Sequence, residues 1–330
     1  MAEKSYLDPS LTLRSASWTD LNAVAKLTHD VAKMDGDASF VLTAEELANA
    51  WKSEGFSVER DVFVVETQDG RIVGSEEFYN ETGHYKLKTD GCVHPKFRGL
   101  GIGTSLLEKI VERAQAELEL AEPDVRVFIQ STITNKDEAG HILLRTEGYS
   151  PVRYYWRMEI KMQESPAAVT FPHGIELRPF IKDEHAIAVW QADNEVFHDH
   201  SGSHEWTYED WSHQKFGNPN FDPTLWMIAW DGDQVAGFCQ DRFRMGIGWV
   251  GTIGVRRPWR KTGLGLALLQ HSFGEFYKRG KSTIGLGVDA SNPTGATRLY
   301  QRAGMYTASE FIAYEKELRA GNMQSNDSSR

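Results

Sequence analysis

Apolar positions recur along this chain in two rhythms, and the same succession of rhythms occurs twice. Spacings of three and four predict helices: Leu107, Val111, Ala114 and Leu118 in the first half, and Leu266, Leu269, Phe273, Phe276 and Tyr277 in the second. Short apolar or alternating runs predict strands at Lys86 to Val93 and 125–131, and again at Trp249 to Val255 and 282–288. Each half reads strand, helix, helix, three strands, a glycine turn, helix, strand, helix, strand. That order specifies a mixed α/β unit.

The repetition extends to individual residues. VHPKFRGLGIGTSLL (93–107) returns as VRRPWRKTGLGLALL (255–269), with Arg98 matched by Arg260, Gly101 by Gly263 and Gly103 by Gly265. FVVETQDGRIVGS (63–75) returns as MIAWDGDQVAGF (227–238), and LRSASWTDLNAVAKL (13–27) as LRPFIKDEHAIAVW (177–190). A near-constant offset over this span points to one ancestral unit of ordinary domain size, duplicated. The expected division is a first domain over 1–160, a linker over 161–174, a second domain over 175–318, and a small, polar, disordered tail over 319–330.

The length of 330 residues suits two such domains, and 40% hydrophobic with 25% charged residues is the balance of a globular chain. A net charge of −11 and a pI near 5.5 argue against a general nucleic-acid binder and favour cationic over anionic substrates. The two cysteines, Cys92 and Cys239, form neither a disulfide framework nor a C-x-x-C motif. The N-terminal MAEKSYLDPS has no apolar signal core and no run of 18 apolar residues occurs, so the default expectation is a cytoplasmic protein with no membrane partner.

The glycine turn carries the candidate chemistry. R-x-x-G-x-G between a strand and a helix removes side chains where main-chain N–H groups converge at a helix N-terminus, a place that favours an anion such as a diphosphate. Lys96, Arg98, Arg256, Arg257, Arg260 and Lys261 add positive charge beside it. The plainer alternative is a tight turn and nothing more; two equivalent occurrences weigh against it. No G-K-[ST] follows, which excludes a Walker P-loop. A dinucleotide fingerprint at Gly285, Gly287 and Ala290 lies too late in the unit.

VRRPWRKTGLGLALL, followed by SNPTGATRLYQRAGM (291–305), closely resembles the acetyl-CoA motifs of GCN5-related N-acetyltransferases (GNAT). The resemblance covers nearly the whole chain, once per copy, and the tandem arrangement is similar to that of double-GNAT enzymes. It implies two tandem domains, each a mixed, mostly antiparallel sheet flanked by helices. It also implies acetyl-CoA as cosubstrate and transfer of an acetyl group to a primary amine, most simply of a small molecule.

Residue by residue, the resemblance implies that main-chain groups of Ile253, Gly254 and Val255 hold the pantetheine arm and polarise the thioester carbonyl. Amides across Arg260, Lys261, Thr262, Gly263, Leu264 and Gly265 would cradle the diphosphate, Asn292 would bond the pantetheine, and Tyr300 would protonate the departing thiolate. In the first copy the matching positions are Val93, Arg98, Gly99, Gly101, Ile102 and Gly103. A phenol that gives a proton to a thiolate and an N–H that meets an oxyanion are the parts such chemistry requires. The alternative for Tyr300 is an ordinary core aromatic.

The copies are unequal. Aligning Gly148 with Gly304 puts Leu144 opposite Tyr300, so the first copy lacks the acid unless Tyr149 replaces it, and activity is expected in the second. No acid occurs in 245–255, which leaves Asp241, Glu195 and His198 as candidate bases. The segment 194–214 gathers Glu195, Asp199, Glu205, Glu209 and Asp210 with Phe197, Trp206, Tyr208 and Trp211, which suits an ammonium acceptor or, equally, a solvated helix face over core aromatics. His198, His200 and His204 lack metal-ligand spacing, and no metal is expected. An acyl-CoA-binding module without turnover and a protein N-acetyltransferase stay open as alternatives.

Overall fold

The computed structural model describes residues 6–34, 36, 41–198, 206–218, 220–291 and 295–322. The chain forms two compact units, one of Met1–Arg153 with Phe311–Gln324 and one of Tyr154–Glu310 with the C-terminal residues.

The first unit runs β1 (Leu11–Ser15), α1 (Leu21–Met34), α2 (Ala44–Trp51), α3 (Val58–Asp61), β2 (Val62–Thr67), β3 (Ile72–Thr82), β4 (Lys86–Val93), α4 (Ile102–Leu118), β5 (Val127–Thr134) and α5 (Glu138–Thr146). Strand β6 (Ser150–Lys161) follows. Strands β1 to β4 are antiparallel neighbours and β4 and β5 are parallel. Helix α2 starts at a reciprocal cap, with Thr43 Oγ1 accepting from Glu46 N–H at 3.2 Å and Glu46 Oε2 accepting from Thr43 N–H at 2.9 Å. Helix α4 packs on one face of the sheet through Ile102, Leu106, Leu107, Ile110 and Ala114. Helices α1 and α2 cover the other face through Val24, Leu27, Val31, Leu47 and Trp51.

The second unit repeats the order, with a 3-10 turn in place of the short α3: β7 (Ile175–Pro179), α6 (Lys182–Phe197), α7 (Tyr208–Phe216), β8 (Trp226–Asp231), β9 (Gln234–Arg244), β10 (Ile247–Val255), α8 (Leu264–Lys278), β11 (Thr283–Asp289), α9 (Ala296–Arg302) and β12 (Tyr306–Arg319). Helix α8 buries Leu264, Leu268, Leu269, Phe273 and Phe276, while Leu266 and Tyr277 of the expected face are only half-buried. Helices α6 and α7 cover the opposite face with Val189, Val196 and Trp211 against Trp226 and Phe238.

The expected boundaries need correction. Strand β6, expected to close the first unit, pairs antiparallel with β11 from Asp289↔Tyr155 to Thr283↔Lys161. Strand β12 instead pairs with β5, from Phe311↔Thr134 to Arg319↔Val127. Each unit therefore ends on a strand whose sequence neighbours belong to the other. The segment 161–174 is not a bare linker: Phe171 packs against His271 of α8 at 6.0 Å between ring centres. Nor does the tail loosen at 319. The Arg319 guanidinium donates to Val125 O at 3.1 Å and Leu118 O at 3.0 Å, and Asn322 N–H donates to Asp124 O at 2.7 Å. Residues 323–330 lie outside the described residues.

No helix among the described residues is long and apolar enough to cross a membrane.

Candidate active site

The site is built where two parallel strands part. In the second unit β10 pairs with β11 only at Gly248↔Ile284 and Trp249↔Gly285, after which Val250–Val255 diverge. A bulge falls at the same place, between Val250 and Thr252 in the register with β9, leaving Gly251 as the extra residue. Arg256 N–H donates to Ala236 O at 3.0 Å, so by strand alternation Gly254 faces β9 while the main-chain groups of Ile253 and Val255 face the gap. In the first unit β4 and β5 pair from Lys86↔Phe128 to Thr89↔Ser131 and then separate over Asp90–Val93.

Each diverging strand feeds a short 3-10 turn and then a helix that starts at a glycine in the left-handed region, Gly101 at φ 75° and Gly263 at φ 93°. Neither helix start is capped by the side chain before it, because glycine has none, so first-turn N–H groups are left toward the turn. Around Gly263, Arg260 Nε donates to Val255 O at 3.1 Å and Thr262 Oγ1 to Trp259 O at 2.7 Å. Lys261 holds φ 65°, unusual for a residue with a side chain, and Lys261, Thr262 and Gly263 are all exposed. Leu264 is core rather than lining.

The two turns differ in what covers them. A Cβ at Gly263 would meet nothing within 4 Å. A Cβ at Gly101 would lie 2.3 Å from the carbonyl oxygen of Tyr6, and Asp8 N–H donates to Leu100 O at 3.0 Å. The chain's own Tyr6–Asp8 thus crosses the first turn. Gly103 faces Leu143, Ile102 is buried in the core, Gly99 is exposed, Val93 is half-buried, and Arg98 Nη2 is 3.4 Å from Asp137 Oδ1.

Tyr300 of α9 lies on the α8 face of the second sheet with Cys239, Val250, Leu269 and Phe273. Burial, and then the nearby Cys239, push its phenol up to about 12, so it remains protonated at neutral pH. Asp241 shares this face. It accepts from Cys239 Sγ at 3.1 Å, and Ser272 Oγ donates to Cys239 Sγ at 3.1 Å. Burial pushes the Asp241 carboxyl up to about 7. Leu144, the counterpart of Tyr300, is 3% exposed and purely core; burial raises the Tyr149 phenol well above its ordinary value.

Glu195 lies on the other face. Arg256 holds it, Nη2 at 2.6 Å and Nε at 2.7 Å from Oε2. It borders an open cavity of about 480 Å³ with Trp190, Asn194, His198, Trp206 and Arg257. Asn194 fixes Trp206 by two main-chain bonds, at 3.0 and 3.1 Å. Tyr300 and Asp241 therefore share one face of the sheet, each beside Cys239, and Glu195 lies on the other. Of the acceptor segment, Trp211 donates to buried Asp193 Oδ2 at 2.6 Å and Asp210 serves the start of α7 through Thr207. Asp199, His200, His204, Glu205 and Asn292 lie outside the described residues.

Sequence reasoning missed two buried carboxylates on the matching strand of the first unit, β3. Glu76 accepts from Thr89 Oγ1 at 2.6 Å and burial pushes it up to about 8; Glu77, bonded to Tyr79, is pushed up to about 7. The signal was there: two glutamates inside the strand run IVGSEEFYN.

The raised Asp241 carboxyl makes stability depend on pH. Its proton is held more tightly in the folded than in the unfolded chain, so its stabilising contribution, full below the ordinary carboxylate range, is lost as pH rises through about 7. The thermal midpoint is expected to fall between about pH 5 and about pH 8, and to fall less in Asp241→Asn. Scanning calorimetry across that range checks this; equal slopes in both proteins would contradict it.

Known proteins share this architecture. The acetyltransferase (GNAT) family profile matches residues 185–305 and an acetyltransferase (GNAT) domain profile matches residues 59–151. The mycothiol acetyltransferase of Thermobispora bispora is 30% identical over 234 residues, covering 68% of this chain and 74% of that protein. That of Geodermatophilus obscurus is 26% identical over 254 residues, covering 74% and 78%. The crystal structure of a GCN5-related N-acetyltransferase from Sphaerobacter thermophilus superposes with a TM-score of 0.85 at 34% identity, covering 97% of this chain and 99% of that one. A tandem GNAT protein from the clavulanic acid biosynthesis pathway gives 0.69 at 14% identity, covering 94% and 100%, a likeness of fold.

Proposed function

Because the chain belongs to the GCN5-related N-acetyltransferase (GNAT) family, with a GNAT unit in each half, we propose that it moves an acetyl group from acetyl-CoA to a primary amine of a small molecule, in its second unit. The observation that carries this reading is the contrast between the turns. Gly263 is exposed and open beside diverging strands, with Tyr300 on the α8 face of the same sheet. Gly101 is buried under Tyr6, with Leu144 where the phenol would be.

The residues fit acetyl-CoA: a space that a Cβ at Gly263 would fill, N–H groups at a helix start, and strand N–H groups facing a gap. The amides of Gly263 to Gly265, with Arg260 and Lys261 beside them, would hold the diphosphate. The N–H groups of Ile253 and Val255 would orient the pantetheine and draw electron density from the thioester carbonyl. When bound, acetyl-CoA supplies the activated acyl group. Tyr300, protonated at neutral pH, gives its proton to the leaving thiolate. Asp241, near neutral in its titration and joined to Cys239 on the same face, suits proton exchange on the thiolate side. Glu195 is the carboxylate on the acceptor side, where the cavity has the size of a small-molecule site rather than a protein surface.

Calorimetric titration with coenzyme A is expected to give one site per chain, and thiol release from acetyl-CoA is expected to depend on an added amine. Two sites would show the first unit to be open after all. No binding together with no thiol release on any amine would end the proposal.

A further inference from the structure

The acceptor side of the second unit carries hydrogen-bond donors that find no acceptor among the described residues. Arg242 of β9 pairs in register with Trp249, immediately before the strands part. Its guanidinium lies over the bulge: a Cβ on Gly251 would sit 2.9 Å from Arg242 Nη1. Among the described residues no side-chain hydrogen bond or ion pair holds it; Asp241, the next residue back, acts on it only through its charge. Gln240, two residues back on the same face, is 4% exposed. Lys215 Nζ donates to Gln240 Oε1 at 2.7 Å and to Thr252 Oγ1 at 3.2 Å. An ammonium cannot accept, so this fixes the Gln240 oxygen toward Lys215 and turns the NH₂ away, where Nε2 is buried with no acceptor.

A second cation lies on this face of β9, while the Asp241 carboxylate attracts Arg242 from the next position. Arg244, on the same face of β9, lies 4.8 Å over the Trp249 ring. Burial and then repulsion by Arg242 and Arg157 lower its pKa. The acids nearby are already committed, with Glu159 2.9 Å from Arg157 and Asp193 bonded to Trp211. Asp241 follows Gln240 in sequence but points to the opposite face, with Cys239. A buried donor without an acceptor is costly, so the Gln240 amide marks a place where a bound group can supply one.

The place matters as much as the chemistry. From the Gly263 turn, β10 runs back over Val255 to Val250, on the order of 17 Å at 3.3 Å per residue. A diphosphate at the turn, with its arm laid along that strand, therefore puts the acyl end near the bulge and near Arg242. We propose that the acceptor carries an anionic group, a carboxylate or a phosphate, close to its amine, and that Arg242 with the Gln240 amide binds that group. The inference rests on the acetyl-transfer reading above and narrows its substrate class from amines to amines bearing an anion. It also reverses the expectation from net charge, which is set by the surface and not by this face of the sheet.

The test uses matched acceptors that differ only in the anion: glycine against glycinamide for the carboxylate, and glucosamine 6-phosphate against glucosamine for the phosphate. Thiol release from acetyl-CoA is measured on the full chain, Arg242→Gln and Arg242→Lys. In at least one pair the anionic member is expected to have the higher kcat/KM, on the order of tenfold or more, mainly through KM. Arg242→Gln should shrink that ratio toward one, and Arg242→Lys should keep part of it. Neutral members preferred in both pairs, or a ratio unmoved in a folded Arg242→Gln, would overturn the inference while leaving acetyl transfer intact. If no amine supports thiol release, the acetyl-transfer reading fails separately. The thermal midpoint without acetyl-CoA then decides: a rise with the anionic member, lost in Arg242→Gln, supports the anion site, and no rise overturns it.

Discussion

Tyr300→Phe is expected to lower kcat for acetyl transfer by about 10²-fold, while the affinity for coenzyme A stays within error. The substitution removes one oxygen from a side chain that is 8% exposed and packed among apolar neighbours, so the fold has little to lose. What is lost is a proton that burial and the nearby Cys239 keep on the phenol up to about pH 12. The effect belongs at the low end of general acid catalysis, since a thiolate can also leave unprotonated. Steady-state kinetics with calorimetry on the same protein separates the two terms. An unchanged kcat would return Tyr300 to the status of a core aromatic.

Gly263→Val is expected to weaken coenzyme A binding by about 10- to 100-fold, the worth of one or two lost charge-assisted hydrogen bonds. The backbone at φ 93° is costly for a β-branched residue, and the new side chain would stand in the open space that the diphosphate needs. Gly101→Val makes the control. There the new Cβ would fall 2.3 Å from Tyr6 O, so the expected loss is in the thermal midpoint rather than in coenzyme A affinity. Were both variants to bind coenzyme A normally, the helix-start amides would not be the anchor.

Much of this architecture is legible in the sequence. The repeated R-x-x-G-x-G and the paired rhythms around it give the order of elements in both units, and Lys86–Val93 is found as a strand with the bounds its pattern implies. The partner of the last strand in each unit is not legible, because β6 and β12 hold corresponding places in the two copies and nothing local says which sheet either will join. The covering of Gly101 also escapes a sequence reading, since Tyr6–Asp8 precede the repeat and carry no motif. Arg242 looks like one more polar position on an alternating strand. That no hydrogen bond holds it among the described residues becomes visible only once the bulge at Gly251 and the Lys215 bond to Gln240 are placed.

The exchanged strands carry a consequence for the nascent chain. Arg126 of the first unit pairs with Glu317, 191 residues further on, at 2.8 Å. As the polypeptide leaves the ribosome, β5 emerges long before β12 and must wait as an open sheet edge while most of the second unit is made. The first unit is thus the earlier synthesised and the later finished, and loop closure over that length slows its completion. Premature termination anywhere before β12 would leave one edge of β5 without its partner strand and prone to wrong ones.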